Sequence, residues 1–125
     1  MTHEQAVNQG SLRLAFIGDA VHSLYIREQI LLHHKDKVPV LNTLVADKVN
    51  AAAQSRAYDK LLSFLTEDEL EIMKRGKNAH VGHIPKNQTI EDYHKATAFE
   101  ALLGYLYLTD NATRLNEILS FTEEK

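Results

Sequence analysis

Apolar residues recur every three or four positions along almost the whole chain, and this period restricts what the chain can fold into. A helix turns once in 3.6 residues, so such spacing lines one helical face with side chains that must be buried. A strand would need strict alternation. The turn residues agree, because 5 Gly and 2 Pro are too few for a many-stranded sheet. The expectation is an all-α, bundle-like domain covering residues 1–125. A chain of that size buries a core without staples. The absence of Cys excludes disulfides and thiolate metal sites, and is compatible with a reducing cytoplasm.

A first long helix is expected from about Ser11 to Leu32, with Ser11 as its N-cap. Leu14, Ile17, Val21 and Leu24 form its apolar stripe, with Phe16 and Ala20 beside them. Pro39 suits the first turn of the next helix. The stripe Leu41, Leu44, Val45, Val49, Ala52, Ala53, Ala57 and Leu61 then runs to about Leu65 without a clear stop, so one helix or two both fit. Thr66 and Glu69 have the spacing of a capping box, with Leu65 and Leu70 placed as a hydrophobic staple, for a helix to about Arg75. From Gly76 to Thr89 the period fails, and a loop of that length in a compact domain is commonly functional. Helix resumes near Ile90 to Tyr93 and runs to about Leu108, and Leu115, Ile118 and Leu119 mark a final one.

No apolar run approaches the ~18 residues of a membrane span, and the N-terminal residues carry no secretory pattern. The net charge of −3 argues against a broadly basic nucleic-acid surface. Any RNA contact must therefore rest on a local patch or on bound cations. Lys74, Arg75, Lys77 and Lys86 form the densest basic cluster. Glu67, Asp68, Glu69 and Glu71 lie close in sequence, so an ordinary solvated face is the plainer reading. The position of the loop, directly before the helix that carries Glu100, favours RNA contact.

Two carboxylates stand in apolar settings: Asp19 in Phe16-Ile17-Gly18-Asp19-Ala20-Val21, and Glu100 in Ala98-Phe99-Glu100-Ala101-Leu102. Each is plainly read as solvated or paired with a Lys or Arg. Together they suit one hard cation, since Mg²⁺ takes oxygen ligands, keeps several waters and is commonly held by one or two carboxylates. Spacing alone does not bring the two helices together. His80 and His83 have a metal-like spacing but no convincing third ligand, so they read as loop histidines that hydrogen-bond or face solvent, with contact to RNA phosphate as the functional alternative. Gly18 and Gly104 interrupt good helices, for which close helix approach is the natural reason.

These segments carry a resemblance. Leu14-Ala15-Phe16-Ile17-Gly18-Asp19-Ala20-Val21 resembles the signature helix of the ribonuclease III family, and residues 97–108 resemble its second acidic helix. Arg75-Gly76-Lys77-Asn78-Ala79 followed by Pro85-Lys86-Asn87 is similar to the loop of the family's short Mini branch. The match spans nearly the whole chain in order. The chain's length leaves no room for the double-stranded-RNA-binding domain of long relatives, which fits that branch.

The resemblance implies cleavage of double-stranded RNA with Mg²⁺ or Mn²⁺, leaving 5′-phosphate and 3′-hydroxyl ends. It also implies a homodimer and, for the Mini branch, maturation of large-subunit ribosomal RNA. Asp19 and Glu100 would be the catalytic metal ligands, and Lys74, Arg75, Lys77, Asn78, His80, Lys86 and Asn87 the RNA contacts. Ala15 and Thr97 stand where long relatives carry Glu and Asp, which leaves the number of ions open. The competing reading is a non-catalytic domain of the same fold that binds structured or ribosomal RNA. An interaction-only helical dimer has just the generic amphipathic pattern behind it.

Overall fold

The computed structural model describes residues 1–79 and 83–124, so His80 lies outside the described residues. Seven helices and no strand occur among them: α1 (His3–Val7), α2 (Ser11–His33), α3 (Val38–Ala46), α4 (Ala51–Leu61), α5 (Glu67–Lys77), α6 (Ile90–Leu108) and α7 (Ala112–Thr122).

The helix boundaries follow from local hydrogen bonding. α1 is short and outside the periodic expectation; a capping box starts it, with Thr2 Oγ1 accepting from Gln5 N at 3.1 Å and Thr2 N donating to Gln5 Oε1 at 2.9 Å. Gly10, at φ 84°, caps α2, and Ser11 is instead its first helical residue. The stretch after Pro39 is two helices, and Asn50 divides them. Its Nδ2 donates to Ala46 O (2.9 Å) and Asp47 O (3.1 Å), while its Oδ1 accepts from Ala53 N (2.9 Å). One side chain thus closes α3 and opens α4, which ends at Leu61 rather than near Leu65.

The expected box at Thr66 and Glu69 starts α5. Glu69 does more than cap: it accepts from Arg114 Nε at 2.8 Å and Nη2 at 2.7 Å, tying the start of α5 to α7. A forked, largely buried pair of this kind is stronger than an exposed one. Thr89 caps α6, its Oγ1 accepting from Asp92 N at 3.0 Å.

α6 is the axis of the fold. Phe99, Leu102 and Leu103 on it are fully buried, and Tyr58, Leu61, Ile72, Met73 and Ile118 from α4, α5 and α7 close around them. Each such side chain contributes about 1.5–3 kcal/mol of burial. α2 lies along the other side of α6 at close range. A Cβ added to Gly18 would fall 1.7 Å from the carbonyl oxygen of Glu100, and one added to Gly104 would fall 1.9 Å from that of Leu14. The two glycines therefore let the backbones of α2 and α6 touch where the expected catalytic residues sit. Gly76 also belongs to a helix, not to the loop: it is buried in α5, with its would-be Cβ 2.8 Å from Ala98 Cα.

One expectation is corrected. Leu24 and Phe16 do not face the core but are 67% and 78% exposed. α2 is apolar on more than one side, and its second apolar face has no partner among the described residues.

Candidate active site

The carboxylates expected to meet do meet. Asp19 sits in the third turn of α2 and Glu100 in the middle of α6, beside the Gly18 contact, and both line the same two clefts. Burial pushes the Glu100 carboxyl up to about 9, and the neighbouring Asp19 adds to the rise. Only the Gln54 amide acts in the other direction. No Lys or Arg is among the groups that shift it, so the plain reading of an ordinary ion pair does not describe this site.

Two clefts reach the pair. One is lined by Leu12, Ala15, Phe16, His83, Tyr93 and Thr97 together with the two carboxylates. The other approaches past Asn50, Gln54, Gln88 and Ala96. The loop before α6 thus contributes His83 to one approach and Gln88 to the other. Thr97 is buried and donates its hydroxyl proton to Tyr93 O at 3.0 Å, leaving its oxygen able to accept.

Sequence reasoning missed the residues behind Glu100. Gln54 and His22 are both buried, and the Gln54 Nε2 donates to His22 Nδ1 at 3.0 Å and to Glu100 Oε2 at 3.4 Å. Burial lowers the His22 pKa to about 4 against the pull of Asp19, so the ring is neutral and its Nδ1 can accept. It packs edge-on against Phe99. The signal for Gln54 was an amide inside an otherwise small and apolar helical stripe.

The basic cluster is partly engaged. Arg75 pairs with Glu71 at 3.3 Å, and Lys77 lies 5.7 Å above the Tyr58 ring. Lys74, Asn78, Lys86 and Asn87 are exposed.

A model of the Ribonuclease III domain matches residues 12–111, which include both carboxylates and the loop between them. The chain belongs to the ribonuclease III family. Within it, the chain is similar to curated proteins named Mini-ribonuclease 3. That of a Thermoanaerobacter species is 40% identical over 98% of this chain and 86% of its own length. That of Clostridium tetani is 39% identical over 94% of this chain and 79% of its own. The fold matches a crystal structure of a Fusobacterium nucleatum protein with a TM-score of 0.82 and 38% identity, over 89% of this chain and 88% of that one. The resemblance to the Mini branch of the ribonuclease III family therefore holds across the chain and not only in its motifs.

The donor set around Asp19 and Glu100 suits a hard cation. The two carboxylates and Thr97, whose hydroxyl oxygen can accept, line the site, and Gln88 lines one of its clefts. Gln88 Oε1 is buried and has no hydrogen-bond partner among the described residues. A carboxyl raised to about 9 beside a second acid is the electrostatic condition that a divalent ion relieves. Among the described residues no group of three His, Cys, Asp or Glu side chains forms a metal cluster. The fit is therefore to an ion that keeps much of its own water, as Mg²⁺ does.

Proposed function

We propose that the chain is a divalent-cation-dependent endoribonuclease that hydrolyses phosphodiester bonds in double-stranded RNA and acts as a homodimer. The convergence of Asp19 and Glu100 on the same two clefts, without a basic partner among the described residues, carries this reading. Asp19, Glu100 and water held by Thr97 would bind Mg²⁺ or Mn²⁺, and a bound ion would supply a nucleophilic water and stabilise charge on the scissile phosphate. The protein's own part is to fix two anionic ligands on touching helices and to leave them open along two clefts. Products with 5′-phosphate and 3′-hydroxyl ends, and a precursor of large-subunit ribosomal RNA as substrate, follow from the family resemblance.

Incubation of an end-labelled RNA duplex with Mg²⁺, and again with EDTA, tests the proposal. Metal-dependent cuts are expected. A bound but intact duplex points instead to a non-catalytic RNA-binding domain, which the reduced carboxylate set would suit.

The raised carboxyl of Glu100 sets the pH response. At neutral pH the metal-free group holds a proton, and a bound cation must displace it. Affinity for Mn²⁺ should thus rise about tenfold per pH unit between about pH 6 and 8, with one proton released per ion. Calorimetry in buffers of different ionisation enthalpy checks this. A flat affinity profile would count against a protonated Glu100.

The unpartnered face of α2 supports the homodimer. Leu12, Phe16, Leu24 and Leu31 are about half exposed or more, and Leu24 and Leu31 continue into a cleft with Val38, Leu41 and Val45 of α3. A contiguous apolar surface of this kind marks an interaction site, and a two-fold pair would cover it with its own copy. Leu24→Glu should convert the dimer to monomer in sedimentation without loss of helix. An unchanged sedimentation coefficient would move the interface elsewhere.

RNA contact is assigned to Lys74, Arg75, Lys77, Asn78, Lys86 and Asn87. Recognition of A-form RNA proceeds mainly through backbone and shape, so these side chains would meet phosphates. Lys74→Ala and Lys86→Ala should each weaken duplex affinity and flatten its log–log salt dependence by about 0.9. If slope and affinity stay fixed, the cluster is a solvated face.

A further inference from the structure

We propose that Gln54 is a positioning residue for the metal ligand Glu100, holding its carboxylate in the binding orientation through a hydrogen-bonded chain anchored on His22. The inference rests on the metal-dependent reading given above, and goes beyond it in assigning a role to α4.

A buried amide is unfavourable unless its hydrogen bonds are made, and an aliphatic residue would serve the core better at this position. Gln54 is 5% exposed on a helix whose other buried neighbours include Ala51, Ala53 and Ala57. The amide group has two N–H bonds, and each has a partner. One points to His22 Nδ1 at 3.0 Å, the other to Glu100 Oε2 at 3.4 Å. His22 is itself fixed by burial and by its edge-on contact with Phe99, one residue before Glu100.

The chemistry sets the direction of the chain. A neutral imidazole offers a lone pair at Nδ1, which turns the NH₂ end of the amide, not its carbonyl, toward the carboxylate. With Oε2 engaged, Oε1 is left for a cation. Glu100 is then oriented before any ion arrives, although few other groups restrain it. In a site with only two carboxylates, loss of that orientation should act directly on affinity.

The test uses the full chain, freed of metal and titrated with Mn²⁺ by calorimetry without RNA. Gln54→Met keeps the length of the side chain and removes both donors; Gln54→Asn keeps the amide but draws it back. The expected result is a 10–100-fold weaker Mn²⁺ affinity for Gln54→Met and a smaller loss for Gln54→Asn, in proteins of unchanged helix content. Cleavage of duplex by Gln54→Met should recover at saturating Mn²⁺, which a general packing defect would not allow. Mn²⁺ affinity within about twofold of the parent in either folded variant overturns the proposal. If Gln54→Met does not fold, Gln54→Asn decides by the same criterion. A parent protein that binds no Mn²⁺ overturns the metal-dependent reading itself, so the two failures are distinguishable.

Discussion

Asp19→Asn and Glu100→Gln should each lower duplex cleavage by more than about 100-fold, the upper range for groups that merely support a metal ligand. Both substitutions are nearly isosteric and replace an anionic oxygen with an amide, which a hard cation binds poorly. The fold should survive them. Asp19 is exposed on its helix, so its loss removes no core contact. Glu100→Gln replaces a group that burial already disfavours in its charged form. The sign of the linkage supports this. A carboxyl raised to about 9 contributes its stability fully below the unfolded value near 4.5, and loses it as pH rises through about 9. Metal-free Glu100→Gln should therefore unfold at a temperature equal to or above the parent's at pH 8. Single-turnover cleavage and thermal unfolding, run on the same preparations, decide the matter. Near-parental turnover in either variant would remove that residue from the site.

Gly18→Val should produce the largest loss of stability of any single change on α2. The added Cβ would fall 1.7 Å from the backbone oxygen of Glu100, and backbone cannot rotate away as a side chain does. Overpacking against a flexible neighbour costs about 1–3 kcal/mol; here the helices themselves must separate, so about 3 kcal/mol or more is expected. For a domain of this size that corresponds to a fall of roughly 10 °C or more in Tm. Activity should fall further than stability does, because the same displacement pulls Asp19 away from Glu100. Gly10→Ala is the control: nothing lies within 4 Å of its would-be Cβ, and its φ of 84° leaves only local strain. A Gly18→Val protein with parental Tm would show that α2 and α6 do not touch at this point.

Much of the architecture was legible because its causes are local. The period of the α2 and α6 stripes, the box at Thr66 and Glu69, and the reading of Gly18 and Gly104 as points of close approach each depend on neighbouring residues or on a single missing Cβ. The parts that escaped depend on something else. α1 spans little more than one turn, too short for periodicity, although the Thr2 and Gln5 spacing signals its start. Asn50 hides a break within an unbroken stripe, because its side chain supplies the hydrogen bonds that two helix ends lack. Gly76 looks like punctuation in sequence, and only the approach of Ala98 from α6 explains it.

The site divides in the same way. Asp19 and Glu100 stood out as charges in apolar surroundings, and family resemblance joined them. Gln54 and His22 did not stand out, because a polar residue on α4 acquires meaning only when α2 and α6 are laid beside it. The exposed stripe of Leu24 and Phe16 reads as core in sequence, since periodicity reports that a face is apolar and not what covers it.

The α2–α6 crossing also limits how such a site can be altered over evolutionary time or by design. With Gly18 and Gly104 closed to any larger side chain, neither helix can be moved outward to admit a bigger ion or a new ligand between them. Variation is confined to the cleft lining: Ala15 and Thr97, which line it from the two helices, and the loop positions that carry His83 and Gln88. Charge can be added there one residue at a time, without disturbing the backbone contact beneath. The geometry of the carboxylate pair is thus inherited from the crossing, while its affinity and choice of ion remain open to adjustment from above.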